Sequence, residues 1–112
     1  MPAGFRHVVA DFIGVPVEQA SDTAMLTGLL IAAAGAAGYA IAGAPVARHA
    51  GGTHSIVLFL DGCHLSVHAH PARGLVMVDI LAEARHDAQK ALAVFTRKLR
   101  ASDVRTEEHA RA

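Results

Sequence analysis

Three strand-forming runs follow one another between Ser55 and Leu81, with only short turns between them. Ser55 to Leu60 (SIVLFL) reads as a buried strand ended by Asp61-Gly62, Leu65 to His70 alternates apolar and polar residues, and after a turn at Pro71 to Gly74 comes Leu75 to Leu81 (LVMVDIL). Turns this short join antiparallel neighbours, because a parallel crossover needs a dozen residues or more. The flanking chain supplies the rest of the fold. Phe5 to Ile13 (FRHVVADFI) is a strand closed by Gly14 and Pro16. Ser21 or Asp22 caps a helix that runs to about Ala37, with Met25, Leu29 and Leu30 on one stripe and Gly35 and Gly38 as stop signals. Tyr39 to Arg48 is a weak strand before the turn HAGGT. Asp87 to Leu99 is an amphipathic helix, with Ala91, Leu92, Phe95 and Leu99 inward and Arg97 and Lys98 outward. Val104 to His109 is an edge strand or a frayed tail. The order predicts an α+β two-layer sandwich, an antiparallel sheet with the helices 22–37 and 86–100 on one face, in a single domain over residues 1–112.

Composition excludes several classes of function. Of 112 residues 53% are hydrophobic and 18% charged, so the chain is not disordered. Ten basic residues balance ten acidic ones, and no basic field exists to attract nucleic acid or an anionic membrane. No charged residue occurs from Ala24 to Ala47, a length that could cross a bilayer. That segment is mostly Ala and Gly and carries Pro45 near its end, so it reads as a buried helix running into a buried strand. A lone cysteine forms no internal disulfide, and no signal peptide is visible before Asp11; a reducing cytoplasm is the expected location.

The chemistry concentrates in DGCHLSVHAHP, residues 61 to 71. Alternation along a strand puts His64, Ser66, His68 and His70 on one face. Three imidazoles there could hold a transition metal, with Glu83 as a candidate further ligand, although such a strand is more often solvated than metallated. A second reading makes Cys63 a nucleophile and His68 its base, which requires a bend at Asp61-Gly62 because five extended residues separate them. The residues alone leave these readings open beside a third, in which Cys63 only packs.

The stretch GCHLSVHAHPARGLVMVDI resembles the core motif of the small prokaryotic S-adenosylmethionine decarboxylases. His64, Leu65, Ser66, His68, Pro71, Gly74 and Asp79 keep the family's places without a gap. HVVADFIG resembles the family's opening strand, with Asp11 and Gly14 in place, and AQKALAVFTRKL fits its closing helix. The resemblance implies a proenzyme that cuts itself between Gly62 and Cys63. The new N-terminus becomes a pyruvoyl group, which forms a Schiff base with the substrate amine and draws off electrons as CO₂ leaves. It implies that His68 assists the elimination with Ser55 as hydroxyl partner, that Glu83 stands where the family has a proton-donating cysteine, and that Ser66, His70 and Asp79 contact substrate.

The chain departs from the family's pattern at four working positions. Cys63 replaces the serine, Gly62 a glutamate, His70 a tryptophan, and Glu83 the cysteine of a Thr-Cys-Gly segment. The resemblance implies an adenosylmethionine decarboxylase of spermidine biosynthesis, acting as a homodimer with sites near the interface. Two alternatives stand beside it: decarboxylation of ornithine or arginine, and an uncleaved relative that binds a small molecule or a partner subunit. An adenosyl group would need an aromatic wall, for which Phe5, Phe12, Tyr39, Phe59 and Phe95 are the candidates. The four residues Cys63, His68, Ser55 and Glu83 are expected to converge on one cleft.

Overall fold

In the computed structural model, which describes residues 4–112, the three central runs are β3 (Thr53–Phe59), β4 (His64–His70) and β5 (Leu75–Glu83). Each pairs antiparallel with the next, and the register sets Ser55 opposite His68 and Ser66 opposite Asp79. β1 (Phe5–Ile13) lies on the far side of β5, and β6 (Asp103–Arg111) beyond β1. β2 (Val46–Ala50) closes the other edge, giving the order β2-β3-β4-β5-β1-β6. Val8, Ala10 and Phe12 of β1, Ile56 and Leu58 of β3, Leu65, Val67 and Ala69 of β4, and Val76, Val78 and Ile80 of β5 are all buried on one face. Period two puts their neighbours on the other face, which no helix covers.

Three helices cover the first face. α1 (Val17–Ser21) is a single turn, α2 spans Thr23–Ala37 and α3 spans Ala88–Leu99. Asp22 caps α2 by accepting from the Met25 amide at 3.0 Å, and Asp87 caps α3 by accepting from the Gln89 amide at 3.0 Å. The buried positions of α2 are Leu26, Leu29, Leu30, Ala33, Ala34 and Ala37, an i, i+3, i+4 stripe. Those of α3 include Ala91, Leu92, Phe95 and Leu99, as the sequence pattern requires. The antiparallel sheet with helices on one face is the expected α+β sandwich. Among the described residues no helix is long and apolar enough to cross a membrane.

Several boundaries differ from expectation. Met25 is only partly buried, and Leu26 takes the inward place on α2. The helix passes through Gly35 and stops at Gly38, whose φ of 79° is the left-handed cap that glycine adopts cheaply. The weak buried strand over Tyr39 to Arg48 is not present: Ile41 makes one bridge to Leu60, and β2 begins at Val46 with every residue exposed. After Ile41, the run Ala42 to Pro45 supplies neither β-branched bulk nor a full set of donors for a ladder. The C-terminal segment is an edge strand rather than a frayed tail, and its alternating charges protect that edge from further pairing.

Phe95 is fully buried and packs 6.4 Å, centroid to centroid, from Phe12 across the helix–sheet interface. Replacing it by alanine is expected to cost about 3–5 kcal/mol in denaturant unfolding. The same change at Phe59, 49% exposed on the uncovered face, is expected to cost a chain studied as a monomer under about 1 kcal/mol.

Candidate active site

The turn from β3 to β4 presents the cysteine. Leu60 and Cys63 exchange backbone hydrogen bonds, Leu60 N–H to the Cys63 carbonyl at 2.9 Å and Cys63 N–H to the Leu60 carbonyl at 3.4 Å. Gly62 holds φ at 77°, a left-handed conformation that costs an L residue roughly 1–2 kcal/mol. No atom lies within 4 Å of a Cβ built there, so backbone conformation rather than space accounts for glycine in place of the family's glutamate. Cys63 leaves this turn into a cavity of about 220 Å³ at the end of the sheet, shared with Tyr39, Asp61, Glu83, Arg85 and His86. Burial pushes the thiol up from its ordinary range, and the negative charges of Glu83 and Asp61 push it further. The group rests as S–H at neutral pH and needs a base before it attacks.

Glu83 ends β5 opposite Phe5 of β1. Its carboxylate accepts from Arg85 Nε at 2.5 Å and its side chain is 44% exposed. The desolvation expected to suit it as a proton donor is therefore limited. Tyr39 enters from the helix layer. It follows the left-handed Gly38 cap, donates its amide to the Ala34 carbonyl at 2.9 Å, and meets the His86 ring edge-on at 5.4 Å. Its phenol is pushed up to about 12, by burial first and then by the charges of Asp87, Cys63 and Glu108.

A second cluster lies on the uncovered face of the sheet. Ser55 Oγ and His68 Nδ1 are 2.8 Å apart, a direct result of their paired register. Nearer the Cys63 end, the Asp79 carboxylate bridges two imidazoles, with His7 Nε2 at 2.5 Å and His64 Nε2 at 3.0 Å. Both contacts are diagonal, since Asp79 lies opposite Val9 and Ser66 while His7 and His64 lie opposite Leu81. Ser66 is 4% exposed, and His70 is half-buried at the far end of β4.

The four residues expected in one cleft thus form two pairs. Cys63 and Glu83 share the end cavity, and Ser55 and His68 share the uncovered face. Five extended residues separate Cys63 from His68, about 17 Å at the rise of a strand. Within one chain the extended backbone keeps Cys63 apart from His68. The three-imidazole metal reading finds no matching geometry either. His64 engages Asp79, His68 engages Ser55, and among the described residues no three His, Cys, Asp or Glu side chains are grouped to hold a metal. Tyr39 was visible only as an aromatic candidate, and His86 and His7 carried no sequence signal. The β1–β5 register brings in His7, and the start of α3 brings in His86.

This sandwich has the fold of the adenosylmethionine decarboxylases. The chain belongs to the S-adenosylmethionine decarboxylase family, whose model matches residues 6–112. It is 32% identical over 99 residues to an arginine decarboxylase proenzyme of Aeropyrum pernix, covering 85% of this chain and 74% of that protein. Its fold is similar to that of the adenosylmethionine decarboxylase of Aquifex aeolicus, with a TM-score of 0.88 over 100% of this chain and 93% of the other at 22% identity.

Two measurements test the cavity. Tyr39 is the chain's single tyrosine, so absorbance near the phenolate band should titrate once, with a midpoint near 12 rather than 10.0. Because folding favours the protonated phenol, its contribution to stability is complete below pH 10 and is lost as pH rises towards 12. Glu83→Gln removes one of the charges that disfavour the thiolate, and alkylation of Cys63 at neutral pH should become faster. An unchanged rate would show that the two side chains do not interact.

Proposed function

We propose that the protein is a self-cleaving pyruvoyl-dependent decarboxylase of an amino acid with a positively charged side chain, arginine before adenosylmethionine. The observation that carries the reading is the pairing of Cys63, beside the cleavable Gly62 carbonyl, with two carboxylates in one small cavity. In processing, the Cys63 sulfur attacks the Gly62 carbonyl carbon, the Gly62–Cys63 peptide C–N bond breaks, and the thiol proton passes to the freed amine. A base then takes the Cys63 α-proton, and the Cβ–S bond breaks to leave a thiocarboxylate on Gly62. The residue left at position 63 hydrolyses with loss of ammonia. The pyruvoyl group so formed supplies an electron sink for the carboxylate's departure. Asp61 and Glu83 hold the cationic end of the substrate, and His86 beside them returns a proton to the α-carbon. A reducing cytoplasm keeps the required thiol free.

Two copies of the chain make one site in this reading. The uncovered sheet face carries Val57, Phe59 and Met77 beside Ser55 and His68, and a second uncovered face is the surface that fits it. Facing sheets related by a two-fold axis bring His68 and Ser55 of one copy towards Cys63 of the other, which supplies the imidazole–hydroxyl pair that Cys63 does not meet within its own chain. The cavity, at about 220 Å³, is smaller than the ~300–1,000 Å³ typical of drug-sized ligands and suits an amino acid. Phe12 and Phe95 belong to the core and cannot stack on adenine. Phe5 beside Glu83 and Phe59 opposite His64 are the observations that keep adenosylmethionine, and a role in spermidine synthesis, as the second reading.

Intact-mass spectrometry should show two fragments divided at Gly62–Cys63, the second carrying a carbonyl that reacts with hydrazine. Cys63→Ala should abolish cleavage, and His68→Ala should slow it by about 100-fold or more. Co-refolding Cys63→Ala with His68→Ala chains should restore cleavage of the His68→Ala chain, since mixed dimers hold one intact site. Light scattering should give a dimer. A single unmodified mass under all conditions would leave an uncleaved binding protein. CO₂ release assayed with arginine, ornithine and adenosylmethionine separates the substrates.

A further inference from the structure

We propose that His49 and His54, at the tip of the β2–β3 hairpin, form a binding site for a divalent metal ion of square-planar or tetragonal preference, copper(II) before nickel(II). The decarboxylase chemistry uses neither residue. They lie directly opposite each other in the register. Gly51 and Gly52 turn the chain between them with φ of 59° and 78°, the pair of positive values that a two-residue hairpin turn needs. In such a hairpin the flanking pair, Ala50 and Thr53, exchanges backbone hydrogen bonds, and the next pair, His49 and His54, does not. A pair of that second kind brings its side chains closest, so the turn itself presses the two rings together.

The Nδ1 atoms of the two rings are 2.8 Å apart, and the rings meet edge-on at 69° with centroids 4.9 Å apart. Each neutral imidazole has one bare nitrogen, so two Nδ1 atoms at this distance need an electrophile between them, a proton without metal or a metal ion in its place. Cis ligands about 2.0 Å from a square-planar ion stand about 2.8 Å from each other, whereas tetrahedral ones stand about 3.3 Å apart. The observed spacing fits the first geometry, and copper(II) also heads the affinity order for nitrogen ligands. His49 is exposed and His54 half-buried, which leaves the ion's other positions open to water. The site uses two protein ligands, in keeping with the lack of any larger ligand group among the described residues. His7, His64 and His109 instead turn Nε2 towards carboxylates, and His68 faces Ser55. His54 shares the helix-bearing face with Ile56, and lies about 17 Å along β3 from Phe59, at the Cys63 end. The site is therefore separate from the cavity and from the uncovered face.

The full chain is titrated with copper(II), nickel(II) and zinc(II) near neutral pH, with affinity read by calorimetry and the copper environment by electron paramagnetic resonance. Copper should bind tightest, with a tetragonal signal and two nitrogen donors in its equatorial plane. Its affinity should fall in acid, where protons compete for the same nitrogens. His49→Ala and His54→Ala should each weaken copper by about 100-fold, because the second imidazole acts at the high effective concentration that the hairpin imposes. His109→Ala, on β6 at the opposite edge of the sheet, should leave the affinity unchanged. Copper affinity unaltered in both hairpin variants overturns the proposal, as does zinc bound as tightly as copper. A thiolate charge-transfer band, which would put the ion at Cys63, overturns it too, and so does no binding at all. His49 is exposed, so His49→Ala decides the matter if His54→Ala does not fold.

Discussion

The alternation of β4 separates the core from the chemistry. Leu65, Val67 and Ala69 go beneath the helices, and His64, Ser66, His68 and His70 go to the uncovered face. A slip of one residue would place four polar side chains in the core and expose three apolar ones, so burial fixes the register. Once β4 is fixed, its neighbours have no freedom. Ser55 must stand opposite His68, and Asp79 must lie between His7 and His64. The helices contribute to the site only at its end, where the Gly38 cap delivers Tyr39 and the start of α3 delivers His86.

The two ends of β4 carry different parts of the chemistry for a reason of length. A strand of seven residues spans about 20 Å at about 3.3 Å per residue, longer than any side chain can bridge. The thiol lies at one end beside acids and the imidazole–hydroxyl pair lies towards the other. A base can act on Cys63 only from the His64–Asp79–His7 cluster, from His86, or from a second chain. The His68–Ser55 pair is one whose donor and acceptor are already aligned. The uncovered sheet face is where another copy would deliver it.

Much of this was legible in the sequence, because the strongest signals were periodic. The alternating run at 65–70, the Asp-Gly turn and the i, i+3, i+4 stripe of α3 each reflect one local rule. The failures arose where a local rule met a tertiary one. An uncharged segment rich in Ala and Gly reads as buried, yet only its helical half has a face large enough to pack, and β2 lies exposed at an edge. Cys63 and His68 stand close in the sequence, but extended backbone sets them far apart. His7, remote in the sequence, is drawn to Asp79 by strand pairing that no spacing rule reports. Gly62 looked like a lost side chain, whereas its positive φ explains the residue through the turn.

On the proposed reading, the acids around Cys63 act in opposite senses at successive stages. Before processing, burial holds the thiol protonated, Glu83 and Asp61 add to the effect, and together they slow its attack on Gly62. Afterwards no thiol remains, and the same two charges favour a cationic side chain in the cavity. A cation that entered early would offset them and ease ionisation of the thiol, coupling self-cleavage to the presence of the substrate or a similar cation. Serine, with its far higher pKa, would feel that coupling much less, because it reacts without first ionising. The exchange of serine for cysteine and of cysteine for glutamate at positions 63 and 83 is thus one electrostatic change rather than two. The acid that disfavours the thiolate is also the group that a basic substrate needs.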